Sequence, residues 1–172
     1  ISMKGIDIVV KGSVGHMSAF MAQKGNLVVM GDADADLGDS IYEAKIFVKG
    51  KVKDDIGSID SPVGRHKTQR KKMATGVGHS RPACTYYEVL QRSKNWSYLK
   101  LRPETGRTHQ IRVHLASLHH PVLGDKLYGG KNHNSGTLKM DRQALHASNL
   151  ELSHPVSGVS LSFSANLPID MK

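Results

Sequence analysis

Two arginines around one turn, with histidines beside them, are the residues of this chain best suited to chemistry. Arg107 and Arg112 lie in the stretch Leu101 to Gly130, LRPETGRTHQIRVHLASLHHPVLGDKLYGG. A strand ends at Leu101, breaks at Pro103 and turns at Gly106, and a helix is predicted to follow with Thr108 as its N-cap. Ile111, Leu115 and Leu118 recur at helical spacing and are predicted to face a core, and His120-Pro121 should stop the helix. Backbone N–H groups at a helix start, with a guanidinium beside them, make an anion site suited to a phosphate or a buried carboxylate. His109 and His114 are five apart, whereas two ligands on one helical face need a spacing of about three or four. Adding His119, His120 and His133 does not repair that geometry, so no metal site is expected. Asp125, in LGDKLYG, reads as a turn residue.

The elements that must position these groups are mainly strands. Thr85–Leu90 and Trp96–Leu101 have strand composition and partial alternation, and the Ser93-Lys94-Asn95 turn between them predicts an antiparallel pair. Gln143 to Leu152 and Gly158 to Ala165 read as two further strands. An antiparallel sheet with one helix against it is an α+β arrangement. Between Gly64 and Met73 stands RHKTQRKK, with Arg65, His66, Lys67, Arg70, Lys71 and Lys72. No aromatic is interleaved, so the run suits phosphate contact and not base stacking. A solvated loop touching nothing accounts for it equally well on composition alone.

The first third is organised differently. Asp7-Ile8-Val9-Val10-Lys11-Gly12 recurs as Asn26-Leu27-Val28-Val29-Met30-Gly31 and as Lys45-Ile46-Phe47-Val48-Lys49-Gly50, with the terminal glycines 19 residues apart both times. A short β-branched run ending in glycine at fixed period predicts a three-rung β-solenoid over residues 1–50, ahead of a second domain over 51–172. Asp32, Asp34, Asp36 and Asp39 lack the glycine and glutamate positions of an EF-hand loop and read as a solvated turn. Gly12-Ser13-Val14-Gly15 has no following Lys-Ser/Thr pair, so turn glycines explain it better than a phosphate loop.

Charge divides the chain in the same place. Of a formal net charge of +9, residues 1–55 carry seven lysines and eight acids, or −1; residues 56–172 carry 17 bases and seven acids, or +10. A basic part of this kind suits a polyanionic partner, most often nucleic acid, or simply a solvated surface. Cys84 is the sole cysteine, which excludes an internal disulfide and a cysteine-rich zinc site. No apolar run approaches the length of a membrane span and no secretory leader is visible, so a soluble, cytoplasmic protein is expected.

Two resemblances gather these readings. GRTHQIRVHLA followed by HPVLGDKLYGG resembles the RluA/RluD class of RNA pseudouridine synthases, and the likeness extends through GSIDSPVGRHKTQRKKM, RPACTYYEVL, RQALHASNLELSHP and FSANLP. It covers about Ile56 to Lys172, the later part of that family's catalytic domain. The resemblance implies a partial pseudouridine synthase fold and isomerisation of uridine in ribosomal or transfer RNA, with no metal or organic cofactor. It implies that Arg112 pairs with the family's catalytic aspartate, and that Arg65, His66, Lys67, Arg70, Lys71, Lys72, Arg107 and His109 contact RNA. The aspartate stands in an Arg-Leu-Asp motif that these 172 residues do not contain, so the chain alone is expected to be inactive. Tyr42 lies near the family's base-stacking tyrosine, although its distance to Gly50 is longer than the pattern. The other segment, GSVGHMSAFMAQKGNLVVMGDADADLGDSIYEAKIFVKG, resembles the glycine-repeat β-helix of glutamate synthase large subunits, with a join between about Val48 and Ile56. A basic RNA-binding module on a β-solenoid, without catalysis, and a fragment of a glutamate synthase-like assembly are the competing functional readings.

Overall fold

The computed structural model describes residues 3–4, 8–10, 22–24, 27–29, 41–136, 138–153 and 157–172. Four short strands come first: β1 (Met3–Lys4), β2 (Ile8–Val10), β3 (Ala22–Lys24) and β4 (Leu27–Val29). Strand β5 (Ile41–Lys49) then leads to β6 (Ile56–Asp60), β7 (Val63–Arg65), β8 (Met73–Thr75) and β9 (Ser80–Arg81). The long strands β10 (Cys84–Arg92) and β11 (Trp96–Pro103) precede helix α1 (Gln110–Ser117), and β12 (Leu145–Ser153) and β13 (Ser160–Ser164) follow it.

Six strands form one antiparallel sheet in the order β13-β12-β5-β11-β10-β6. The predicted α+β class and the β10–β11 hairpin are therefore present, with Thr85 opposite Pro103 and a register shift between Val89 and Gln91. The third predicted rung is different. Lys45 to Lys49 does not stack in parallel on the repeat before it; β5 lies inside the sheet, antiparallel to both β11 and β12. Alternation explains the choice. Ala44, Ile46 and Val48 are buried while Glu43, Lys45 and Phe47 are half-buried, which is the pattern of a strand with one face on a core. The first two repeats do pair in parallel, Ile8 with Leu27, Val9 with Val28 and Val10 with Val29, at the 19-residue offset of the sequence repeat.

The core on the helix side holds Ile46, Val48, Val52, Ile59, Leu99, Leu101, Leu115 and Val122, with Ile111 packed against it. Each such side chain contributes about 1.5–3 kcal/mol, enough to fix one short helix without a strong cap. Leu123, Met140, Ala144 and Met171 form a second cluster with Phe47 and Trp96. Leu118 departs from the expected core face: it is the residue after the helix and is 41% exposed. His119 follows in the left-handed region at φ 63, so the chain leaves the helix before His120-Pro121 is reached.

A smaller sheet carries the basic segment. Strand β7 pairs with β8 on one side and β9 on the other, and residues 66–72 form the tip of the β7–β8 hairpin. Val63, Ala83 and Val113 make a third cluster that seats this sheet against α1, with Met73 and Tyr128 at its margin.

Candidate active site and nucleic-acid interface

Arg112 is 8% exposed and lies on the buried side of α1. Its Nε donates to Asp125 Oδ2 at 2.8 Å and its Nη2 to Asp125 Oδ1 at 3.0 Å, a two-point grip on the carboxylate. Asp125, 1% exposed, also accepts from the backbone N–H groups of Leu127 and Tyr128 through Oδ1. It is thus the turn residue the sequence suggested and, in addition, the partner of Arg112. Burial alone would push its carboxyl up, but the hydrogen bonds and charge of Arg112, with the two N–H groups, hold it below the ordinary aspartate range. The guanidinium carbon stands 5.1 Å from the centre of the Tyr128 ring, a cation–π contact.

The helix start is built without the predicted cap. Thr108 is not the N-cap; His109 is, at φ 56, and it makes no side-chain cap bond. Gln110 organises the turn in its place. Its Oε1 accepts from Thr105 Oγ1 at 2.8 Å and from Arg107 N–H at 3.0 Å. Its Nε2 donates to Cys84 O at 2.9 Å and to Thr85 Oγ1 at 3.0 Å. The carbonyl of Cys84 can only accept and the Arg107 N–H can only donate, so the amide orientation is determined by its neighbours. All four hydrogen-bonding positions of this buried side chain are filled.

The same chain of bonds reaches His114, which is fully buried. Its Nε2 lies 2.8 Å from Ser61 O, and its Nδ1 lies 3.0 Å from Thr85 Oγ1. Nε2 must carry the proton, because a carbonyl accepts, and Nδ1 then accepts from the threonine hydroxyl. Burial pushes the His114 pKa down, against the Ser61 carbonyl and the charge of Asp60. A neutral imidazole here means that the unfolded chain binds the extra proton as pH falls below about 6.5. Stability is therefore present in full above that value and is lost below it, until the folded-state pKa is passed. Denaturation midpoints measured from pH 8 to 5 should fall more steeply for the wild type than for His114→Gln; equal slopes would contradict this protonation state.

His109 sits beside the Arg112 grip. Its Nδ1 is 2.9 Å from Tyr128 Oη, and the two rings meet edge to face with centres 5.7 Å apart. Arg107, the other arginine of the turn, donates from Nε to Pro82 O at 3.1 Å. Tyr42 lies on β5; its side chain falls outside the described residues.

Arg65, His66, Lys67, Arg70, Lys71 and Lys72 are gathered on the hairpin tip. The tip is ordered by its own bonds: Arg65 Nη1 donates to Arg70 O, and His66 N–H to Lys72 O. His66 Nδ1 accepts from the N–H groups of Thr68 and Gln69. Arg65, Lys67, Arg70 and Lys71 are exposed, and none of the tip's bases is ion-paired among the described residues. An open concavity of about 380 Å³ lies between Arg65, His66, Lys67 and Arg70 on one side and Val77, Gly78 and His79 on the other. Unneutralised cations around a concavity suit a phosphate backbone. Among the described residues no three His, Cys, Asp or Glu side chains come close enough to hold a metal ion.

The structure brings Arg112 and His109 together through Tyr128 and keeps the hairpin bases apart from them as a separate surface. Sequence reasoning singled out Arg112 and missed Tyr128 beside it, as it missed Gln110 and Thr85 at the helix start. The one available signal was Asp125 and Tyr128 in the same short turn, which spacing alone does not connect to a helix.

Residues 38–117 match the family model described as RNA pseudouridylate synthase. Ribosomal large subunit pseudouridine synthase D of Escherichia coli K12 is 44% identical over 124 residues, covering 67% of this chain and 38% of that protein. The protein of the same name from Haemophilus ducreyi is 46% identical over 123 residues, covering 66% of this chain and 38% of its own length. The chain thus spans well under half the length of these curated relatives. Among solved structures, human RNA Pseudouridylate Synthase Domain Containing 1 superposes with a TM-score of 0.64 at 26% identity, covering 76% of this chain and 56% of that one. Human RNA Pseudouridylate Synthase Domain Containing 4 shares the fold, with a TM-score of 0.60 at 21% identity, covering 79% and 61%. The sheet and its helix are accordingly part of the pseudouridine synthase fold. The family match begins at residue 38 and so takes in β5, upstream of the join expected from the sequence.

Proposed function

Because residues 38–117 match the RNA pseudouridylate synthase family, we propose that this chain holds the later part of a domain that isomerises uridine to pseudouridine in ribosomal or transfer RNA. The observation that carries the reading is the buried Arg112, held in a fixed plane by Asp125 in a chain that also presents a separate basic concavity on its hairpin. A guanidinium kept dry and oriented is what a catalytic carboxylate needs in order to stay ionised. Arg112 is the residue assigned to that pairing, and Arg65, His66, Lys67, Arg70, Lys71 and Lys72 are assigned to the RNA backbone, with Arg107 and His109 at the turn between. A cytoplasmic location follows from that substrate class. Tyr42 keeps its assignment to the base.

The 172 residues contain no Arg-Leu-Asp tripeptide, and we assign to this chain by itself RNA binding without turnover. Of the division into a β-solenoid segment over residues 1–50 and a second domain over 51–172, we propose the solenoid for the first two repeats, supported by their parallel pairing at the repeat offset; the third repeat lies in the main sheet. The likeness of that segment to glutamate synthase rests on its sequence repeat alone.

Two measurements test the proposal. Binding of a uridine-containing ribosomal RNA fragment should weaken steeply with salt. Replacing Lys67, Arg70 and Lys71 with glutamine removes three candidate phosphate contacts and should flatten the log–log salt slope by about 2–3, at roughly 0.7–0.9 per contact. An unchanged slope would remove the hairpin from the interface. Tritium release from carbon-5-labelled uridine should be absent for this chain; release at an enzymatic rate would show that another carboxylate serves.

A further inference from the structure

Tyr128 touches both functional surfaces. Its ring lies under the Arg112 guanidinium, and its backbone N–H donates to Asp125 Oδ1 at 3.1 Å. Its hydroxyl accepts from the Met73 N–H at 2.9 Å, across 55 residues of sequence. Met73 is the first residue of β8, directly after the basic tip, and pairs with Arg65 at the base of the hairpin. The same hydroxyl stands 2.9 Å from His109 Nδ1. With Nδ1 unprotonated, the hydroxyl accepts from the hairpin and donates to the helix start, so a single oxygen links the two.

Location reinforces the point. Among the described residues no strand pairs with the outer edge of β8, because β7 lies on its other side and β9 lies beyond β7. The Met73 N–H would face the site without a ladder partner, and Tyr128 supplies one. His109 holds a left-handed φ of 56, uncommon for a non-glycine residue, and its ring in that position meets Tyr128.

We propose that Tyr128 is a positioning residue whose hydroxyl ties the basic hairpin to the Arg112 site, so that RNA gripped by the hairpin is placed in register with that arginine. The inference rests on the functional reading above. Tyr128 has no part in bond making; it transmits position between the phosphate grip and the turn carrying His109 and Arg112. By linkage, what the hairpin binds should be felt at His109, and the state of His109 should be felt at the hairpin.

Tyr128→Phe tests this in the full chain, since it keeps the ring and the cation–π contact and removes only the oxygen. The Met73 amide should exchange with solvent about three- to tenfold faster than in the wild type, the effect of one lost part-buried hydrogen bond, while the Leu99 and Leu101 amides are unchanged. A uridine-containing RNA oligonucleotide should shift the Arg112 Nε resonance in the wild type and leave it nearly unmoved in the variant, with affinity reduced several-fold. A variant that lowered thermal stability but kept the Arg112 response would show Tyr128 to be packing alone and overturn the proposal. So would unchanged Met73 exchange. Failure of the wild type to bind the oligonucleotide at all would instead sink the functional reading, a result the exchange rates would not mimic.

Discussion

Asp125→Ala is expected to cost about 3–5 kcal/mol of folding stability, the range for breaking one side of a buried ion pair. The pair is worth that because of where it sits. Arg112 is 8% exposed and Asp125 1%, so the guanidinium left behind is largely shut off from water. The substitution also strips an acceptor from the backbone N–H groups of Leu127 and Tyr128, which opens the turn. Asp125→Asn separates the two effects: it keeps an acceptor for the turn and loses the charge, and should fall between alanine and wild type. Replacing both members, Arg112→Met with Asp125→Leu, should recover much of the lost stability, because the desolvation cost of both charges disappears. Urea denaturation of the four proteins measures this. A loss under about 1 kcal/mol for Asp125→Ala would mean that water reaches Arg112 and that the grip is an ordinary surface pair.

The second large effect is expected at the neighbouring glycine. Gly124 adopts φ +76, and a Cβ built there would stand 1.9 Å from the carbonyl oxygen of Arg142 and 2.9 Å from Met140 Cβ. The obstacle is backbone, held in turn by bonds between Ala144 N–H and Leu123 O and between Phe47 N–H and Ala144 O. Nothing there swings aside. Gly124→Ala should therefore cost about 1–2 kcal/mol for the left-handed conformation and a further 1–3 kcal/mol for overpacking. Gly130 provides the control, since it has φ +63 and open space around its would-be Cβ. Gly130→Ala should show the conformational part alone. Equal losses for the two, by thermal denaturation, would show that the Arg142 segment yields.

Gly124 also shows how the site depends on the fold. Its N–H donates to His133 O at 2.7 Å, and its carbonyl side leads directly into Asp125. A turn displaced by a collision at residue 124 would withdraw the carboxylate from Arg112, so a loss of the two-point grip in Gly124→Ala would follow from geometry without any change in the charged residues.

How far the sequence reaches can be judged residue by residue. Strand composition and alternation located β10 and β11 and the core side chains Leu99 and Leu101, because burial on one face imposes a period of two on the residues themselves. Helical spacing located α1 and the buried Leu115 for the same kind of reason. A run of bases located the hairpin tip, since charge needs no partner to be visible. Arg112 was singled out from its motif, and the 19-residue repeat matches the parallel register of β2 on β4.

Other features were decided only when the chain closed on itself. Lys45 to Gly50 carries the solenoid repeat and the sheet alternation equally well; it became an interior strand because β11 and β12 each offered it an edge. Thr108 has the chemistry of a cap, yet Gln110 took that work once β10 placed Cys84 and Thr85 within its reach. Leu118 continues the apolar spacing but stands outside, because the helix ends one residue before it. Asp125 is thirteen residues from the arginine it holds, and Tyr128 is fifty-five from the hairpin it touches. A local pattern records which face of a segment is apolar; it holds no record of which distant group will lie opposite, because that is set by the register of the sheet and the path of its turns.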